Sequence, residues 1–239
     1  MLSAAMKTLF EYQDRVLTAL KNKTSPFYLA GGTALAKFYF QHRDSYDLDF
    51  FAQKYSLAKI SILVETILKL TGKKMKLLQE SHREGFARLR IYELLIGKKE
   101  ALKIDFVEDL IPLLKPLKSM DGIDVLSLDD IYIRKIHAIS GTHPSLDKIG
   151  QKQFLGGRQE AKDFYDLYYL SSTHQPLSRF ASKHCDDLQK EGLIRWYHTY
   201  SRSEIKIGLM ELKTHHAIDF VSMERHFKQE IDSLIKGIV

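Results

Sequence analysis

Apolar positions along the first twenty residues recur at helical spacing. Leu9, Tyr12, Val16 and Leu20 mark one face, which predicts an amphipathic helix over residues 3–22. Asn22 to Pro26 breaks the pattern. Phe27-Tyr-Leu-Ala30 is a short run of the kind that forms a buried strand; Gly31-Gly-Thr33 follows at once, and residues 34–41 read as helix. Asp47 to Phe51 reads as a second strand, residues 57–71 as a helix closed near Gly72, and 75–79, 86–96 and 102–106 as three further strands. The polar Gly97-Lys-Lys-Glu100 makes a hairpin turn between the last two.

The period then changes. After Asp124 the pattern is helical, at 127–140, 158–171, 176–190, 203–211 and 222–237. Gly141 to Gly157, polar and carrying both Gly and Pro, is long enough to read as a functional or mobile loop. The expected architecture is α+β. Residues 1–124 form a domain in which strands and helices are mixed, and residues 125–239 form a C-terminal helical bundle.

Composition adds bounds. The apolar share of 44% supports a sizeable core. No run of eighteen apolar residues predicts a membrane span, and the charged start does not read as a secretory signal. The single cysteine, Cys185, cannot form an internal disulfide, which fits a reducing cytoplasm. Thirty-six basic against thirty acidic residues leave a net +6, which permits a nucleic-acid partner.

The chemistry concentrates in Gly31-Gly-Thr-Ala-Leu35 and His42-Arg-Asp-Ser-Tyr-Asp-Leu-Asp-Phe-Phe51. Side chains two apart on a strand share a face, so Asp47 and Asp49 project together while Leu48 and Phe50 point the other way. Adjacent carboxylates repel, and the usual remedy is a divalent cation with hard oxygen ligands, Mg2+ being the common choice near phosphates. Asp105, in the apolar strand Leu102-Lys-Ile-Asp-Phe106, offers a third carboxylate if the two strands are neighbours. It is then also the candidate to take the proton from an attacking hydroxyl. Gly31 and Gly32 let the backbone approach a phosphate, and Thr33 opens a helix start with unpaired N–H groups. Arg43 is a phosphate contact by the shape of its guanidinium; Ser45 reads equally as a phosphate contact or as exposed loop.

These blocks resemble the AbiEii/AbiGii toxin family of the DNA polymerase β-like nucleotidyltransferase superfamily. Two later blocks extend the resemblance over about residues 27–170: Leu128 to Ile139, with Lys135 matching a functional lysine, and Lys162-Asp-Phe-Tyr-Asp-Leu-Tyr-Tyr-Leu170. The resemblance implies a polymerase β-like core, a small mixed sheet with helices on one side, in which Asp47, Asp49 and Asp105 bind Mg2+ (or Mn2+) and a nucleoside triphosphate. It implies that Lys135 contacts the triphosphate or the departing pyrophosphate, and that Asp163, with Asp166, completes the site from the helical domain. It further implies a toxin of a toxin–antitoxin or phage-defence system, an antitoxin partner, and nucleotide addition to the 3′ end of tRNA. The family's arginine shortly after the lysine has no counterpart in Ser140-Gly-Thr142; Arg134, Lys148 and Arg158 are the candidates to replace it. Residues 171–239 match no motif.

Blander readings stand beside these. Lys135 taken alone is a surface lysine, Asp163 and Asp166 a solvated acidic edge, and Tyr165, Tyr168 and Tyr169 core packing rather than a base-stacking patch. His42, His82, His137 and His143 lack zinc-ligand spacing. Lysines at 73, 74 and 76, at 98 and 99, and at 115 and 118 are candidates to guide RNA or to be plain solvated surface. Two other functions share the same residues: nucleotidyl transfer to a small molecule or a protein hydroxyl, and a non-catalytic binding module of the same fold.

Overall fold

A computed structural model describes residues 4–82, 86–97, 100–141, 143–146, 152–155 and 157–237. Lys98, Lys99, Thr142, Lys148 and the side chain of His143 lie outside the described residues. The chain forms two compact units. One comprises residues 1–39 and 45–127, the other residues 40–44 and 128–239. The division falls at 127 rather than 124, and five residues from the first half of the chain belong to the second unit.

The first unit is built on a seven-stranded mixed sheet in the order β3-β4-β5-β2-β1-β7-β6. Its strands are β1 (Tyr28–Ala30), β2 (Leu48–Ala52), β3 (Lys74–Ser81), β4 (Leu89–Leu95), β5 (Ala101–Glu108), β6 (Lys118–Met120) and β7 (Ile123–Val125). Strand β2 runs antiparallel to β1 and parallel to β5. Helices α1 (Ala4–Leu20) and α3 (Leu57–Thr71) pack on each other. Ser56 caps α3 by accepting the Lys59 N–H at 3.2 Å, and the helix ends at Gly72 as its sequence suggests. Leu48, Phe50, Leu102, Ile104 and Phe106 are fully buried on one face of β2 and β5, with the Phe50 and Phe106 rings stacked at 5.6 Å. The alternation puts Asp49, Lys103 and Asp105 on the opposite face.

Three local features depart from the sequence reading. The glycine turn is already helical: α2 (Gly31–Ala34) runs straight into a π-helical stretch, Leu35–Phe40. The β6–β7 hairpin was not visible as strand, because three-residue segments carry too little alternation to register. Gly141 to Gly157, read as loop, contains the antiparallel pair β8 (His143–Leu146) and β9 (Lys152–Leu155).

Among the described residues the second unit is otherwise mainly helical, with one isolated bridge between Arg43 and Thr214. It holds α4 (Leu128–Ser140), α5 (Ala161–Tyr169) with a π-helical continuation to His174, α6 (Leu177–His184), α7 (Asp187–Thr199), α8 (Arg202–Glu211) and α9 (Phe220–Lys236). The helix expected over 176–190 is two helices. Asp186 and Gln189 form a capping box that starts α7, Asp186 accepting from the Gln189 N–H at 2.8 Å. At Gly192 a Cβ would lie 2.5 Å from the Ser140 carbonyl, so only glycine permits α7 to cross α4 this closely. Phe164, Trp196 and Phe227, on α5, α7 and α9, form an aromatic centre with ring separations of 4.7–6.1 Å.

Residues 40–44 are stitched into this unit by the connection between α8 and α9. The Asp44 N–H donates to the Lys213 carbonyl at 2.8 Å, and the His215 N–H donates to the His42 carbonyl at 2.9 Å. The His215 ring bonds the Gln41 carbonyl at 2.6 Å and Asp44 Oδ1 at 2.9 Å. His42 and Arg43 are thereby buried among helices far from them in sequence.

Candidate active site

In the first unit, register brings the acids together. Asp49 on β2 pairs directly with Asp105 on β5, and Ala30, the residue before the glycines, pairs with Asp49 from the other side. In-register neighbours project to the same face, so both carboxylates stand side by side there. Asp47 lies just ahead of β2 rather than within it, and its carbonyl accepts a hydrogen bond from the Thr33 hydroxyl. Thr33 also meets the Ser45 hydroxyl at 2.8 Å, and the Ser45 carbonyl accepts from Gln13 Nε2 at 2.9 Å. Thr33 and Ser45 thus brace the segment that presents Asp47.

Gly31 adopts a positive φ of 67° and abuts Asp49. A Cβ there would lie 2.2 Å from Asp49 Oδ2. The glycine is required both by its backbone conformation and by the carboxylate against it. Gly32 follows inside the helical turn.

One residue of this face went unnoticed in the sequence. Lys103, two before Asp105 on the same strand, places its ammonium 2.7 Å from Asp105 Oδ2. Burial alone would lower its pKa, but the bond to Asp105 and the charges of Asp105, Asp47 and Asp49 outweigh that and raise it. Burial lifts the Asp105 carboxyl above the usual range, as does the Asp47 charge, against the opposing pull of Lys103. The signal was present: in a strand, Lys-x-Asp puts both side chains on one face.

The donor set suits a hard divalent cation: three carboxylates, one with a buried oxygen, Asp105 Oδ1, that has no hydrogen-bond partner. Among the described residues, no three His, Cys, Asp or Glu side chains are drawn together tightly enough to hold an ion as they stand. The cation now on Asp105 is the lysine.

In the second unit a buried lattice of charge joins the other motif residues. Asp166 is fully buried and receives Arg43 Nε at 2.6 Å, Arg43 Nη2 at 2.7 Å, His42 Nε2 at 2.8 Å and Lys135 Nζ at 2.6 Å. Lys135 also donates to Asp163 Oδ1 at 2.7 Å, and Arg158 Nε lies 3.1 Å from Asp163 Oδ2. Burial opposes the ionisation of Asp166, but Lys135 and Arg43 together hold it well below the carboxylate range. Burial likewise acts against Lys135, and Asp166 and Asp163 keep its pKa raised. Burial lowers the pKa of His42 against the attraction of Asp166, whose Oδ1 lies 2.8 Å from Nε2.

Lys135 is therefore not a surface lysine, nor are Asp163 and Asp166 a solvated edge; all three are buried. Arg43 and Asp166 are engaged with each other in a two-pronged ion pair. Arg134 turns back onto Asp130, one helical turn earlier. The tyrosines pack on rings of their own unit, Tyr165 and Tyr169 on His42 and Tyr168 on His226 and Phe227.

The family model described as "Nucleotidyl transferase AbiEii toxin, Type IV TA system" matches residues 15–234. The chain belongs to the AbiEii family. Its fold agrees with solved structures along its whole length. JHP933 from Helicobacter pylori aligns at a TM-score of 0.62 with 16% identity, over 99% of this chain and 96% of that one. MenT4, a nucleotidyltransferase toxin from Mycobacterium tuberculosis H37Rv, aligns at 0.55 with 13% identity, over 98% and 86%. No curated protein matches in sequence. This AbiEii chain is a nucleotidyltransferase of mixed α/β fold with C-terminal helices. The family generally uses a divalent metal and a nucleoside triphosphate, and its type IV toxin–antitoxin setting implies an antitoxin partner. Among the described residues no helix is long and apolar enough to cross a membrane.

Proposed function

We propose that this AbiEii chain transfers a nucleoside monophosphate from a nucleoside triphosphate to a hydroxyl of RNA, the 3′ end of tRNA being the leading acceptor, and that it does so as the toxin of a toxin–antitoxin pair. The observation that carries the chemistry is the in-register pairing of Asp49 with Asp105, beside a glycine that admits nothing larger than hydrogen.

In this reading Asp47, Asp49 and Asp105 hold Mg2+, for which Mn2+ substitutes. Held there, the ion would supply positive charge against the phosphates and the leaving pyrophosphate. The acceptor hydroxyl attacks the α-phosphorus in line, the bond to pyrophosphate breaks, and Asp105 receives the hydroxyl proton. Gly31, Gly32 and Thr33 border the phosphates, and Ser45 keeps Thr33 and Asp47 in place. Lys135 and Asp163, bonded to each other at 2.7 Å, are the residues that the resemblance assigns to the triphosphate. Arg158, anchored on Asp163 and half exposed, takes the role of the arginine missing after Lys135. Arg43 and Asp166, whose charges satisfy each other, hold the helical unit together rather than the nucleotide. Exposed Lys74 and Lys76 on the edge strand β3, with the net charge of +6, favour an RNA acceptor.

The test is transfer of label from each of the four α-labelled nucleoside triphosphates, with Mg2+, to total tRNA, to protein and to small alcohols in separate reactions. Label should enter tRNA and vanish in Asp49→Asn and Asp105→Asn proteins that keep wild-type circular dichroism. Label in protein or small molecules would replace the acceptor. No label anywhere, with no Mg-nucleotide binding, would leave a non-catalytic module.

A further inference from the structure

We propose that Lys103 is a built-in counter-ion of the acidic site, a positioning residue that occupies the place of the divalent cation and must be displaced before the cation can bind. The inference rests on the reading of Asp47, Asp49 and Asp105 as the metal-holding acids.

Three observations lead to it. The first is the choice of partner. Glu93 sits directly across from Lys103 on β4, the ordinary cross-strand partner for a lysine, yet the ammonium lies 2.7 Å from Asp105, two residues along its own strand. The second is what surrounds it. The ammonium bonds Asp105, and the charges of Asp47 and Asp49 act on it as well. The third is exposure. The Lys103 side chain remains 40% exposed, against 12% for Asp105, so its flexible stem can swing into water when Asp105 gives up the contact.

The physical consequence is competition. A divalent ion arriving at Asp105 must break the ammonium contact and then share the site with a nearby positive charge. Both effects weaken metal binding relative to the same acids without the lysine. The lysine in turn lets Asp49 and Asp105 stand side by side on the sheet, with Asp47 just ahead of it, while no metal is bound. Without a compensating cation, their mutual repulsion would push them apart.

The test uses the full chain and Mn2+ alone as probe, its free concentration read by electron paramagnetic resonance. Lys103→Met, which keeps the length of the stem and removes the charge, should bind Mn2+ about tenfold more tightly than wild type. Lys103→Gln should behave in the same way and provides a second measurement if the methionine variant folds poorly. Lys103→Arg, which keeps the charge, should stay near wild-type affinity. A wild type that binds Mn2+ through these acids, with binding lost in Asp49→Asn, and Lys103→Met and Lys103→Gln proteins that bind no more tightly, would overturn the role of Lys103 and leave the metal site intact. A folded wild type and folded lysine variants that all fail to bind Mn2+ would overturn the metal-site reading itself.

Discussion

Replacing Gly31 by alanine separates fold from function with a single methyl group. Two costs follow from the geometry. A non-glycine residue at φ +67° carries the left-handed penalty, roughly 1–2 kcal/mol. The added Cβ also falls 2.2 Å from Asp49 Oδ2, where ordinary contact begins at 3.4 Å, so the two must part by more than an ångström. The obstructing atom is the end of a side chain, and it can retreat by rotation about its own bonds. The fold should therefore survive, with stability reduced by about the backbone cost and Tm lowered by roughly 2–8 °C. The displaced group is a proposed metal ligand, and a misplacement of about 1 Å is enough to slow a reaction about 100-fold. Gly31→Ala should thus lose about two orders of magnitude in labelled nucleotide transfer while circular dichroism remains close to wild type and the melt stays cooperative. Metal binding, measured alongside, should fall with the rate. A variant that transfers label within threefold of wild type would refute the reasoning, because the Asp49 position could then not matter to the chemistry.

Three further outcomes follow from the helical unit. Asp166→Asn removes the anion that Arg43 and Lys135 share and should cost about 3–5 kcal/mol in urea unfolding; a loss below about 1 kcal/mol would mean the lattice is not holding the unit together. Arg158→Ala, at a half-exposed pair, should change stability by less than about 1 kcal/mol yet lower the transfer rate, and an unchanged rate would remove Arg158 from the nucleotide's contacts. Stability should fall with acid in two stages. The pKa of buried His42 lies below 6.5 when folded, so the unfolded ring takes a proton first; that contribution is complete above pH 6.5 and drains as pH drops beneath it, with His226 acting in the same sense. Asp166, held well below 3.8, contributes above that value and loses its contribution as pH falls further. Urea midpoints from pH 7.5 to 3 should follow this course, and a His42→Gln protein should show a shallower upper stage; an identical upper slope would exclude His42.

What could be read beforehand was what strand and helix periodicity encode. Asp49 and Asp105 were visible as acids on apolar strands, and only the assumption that β2 and β5 are neighbours was needed to bring them together. Gly31 was visible as a glycine, but the carboxylate that forbids any other residue there depends on the approach of two backbones, which no spacing reveals. Lys103 belongs to no motif, and only strand alternation puts it on the face of Asp105. Arg43 looked like a phosphate ligand because guanidinium suits phosphate; it suits a carboxylate equally, and Asp166 lies 123 residues away. The break at Cys185-Asp186 was legible in the capping box, but the apolar pattern runs across it.

Residues 40–44 bear on any attempt to take the protein apart. A gene cut between residues 124 and 128 would make a C-terminal fragment that carries Lys135, Asp163 and Asp166 and lacks His42 and Arg43, two of the three groups that donate to Asp166. Such a fragment begins life with an anion stripped of its main hydrogen-bond donors. The complementary piece keeps a buried histidine and arginine for which it has no interior. Separate expression of the halves should yield poorly folded material from both, and a synthetic peptide spanning the missing stretch is the reagent that should restore the helical half.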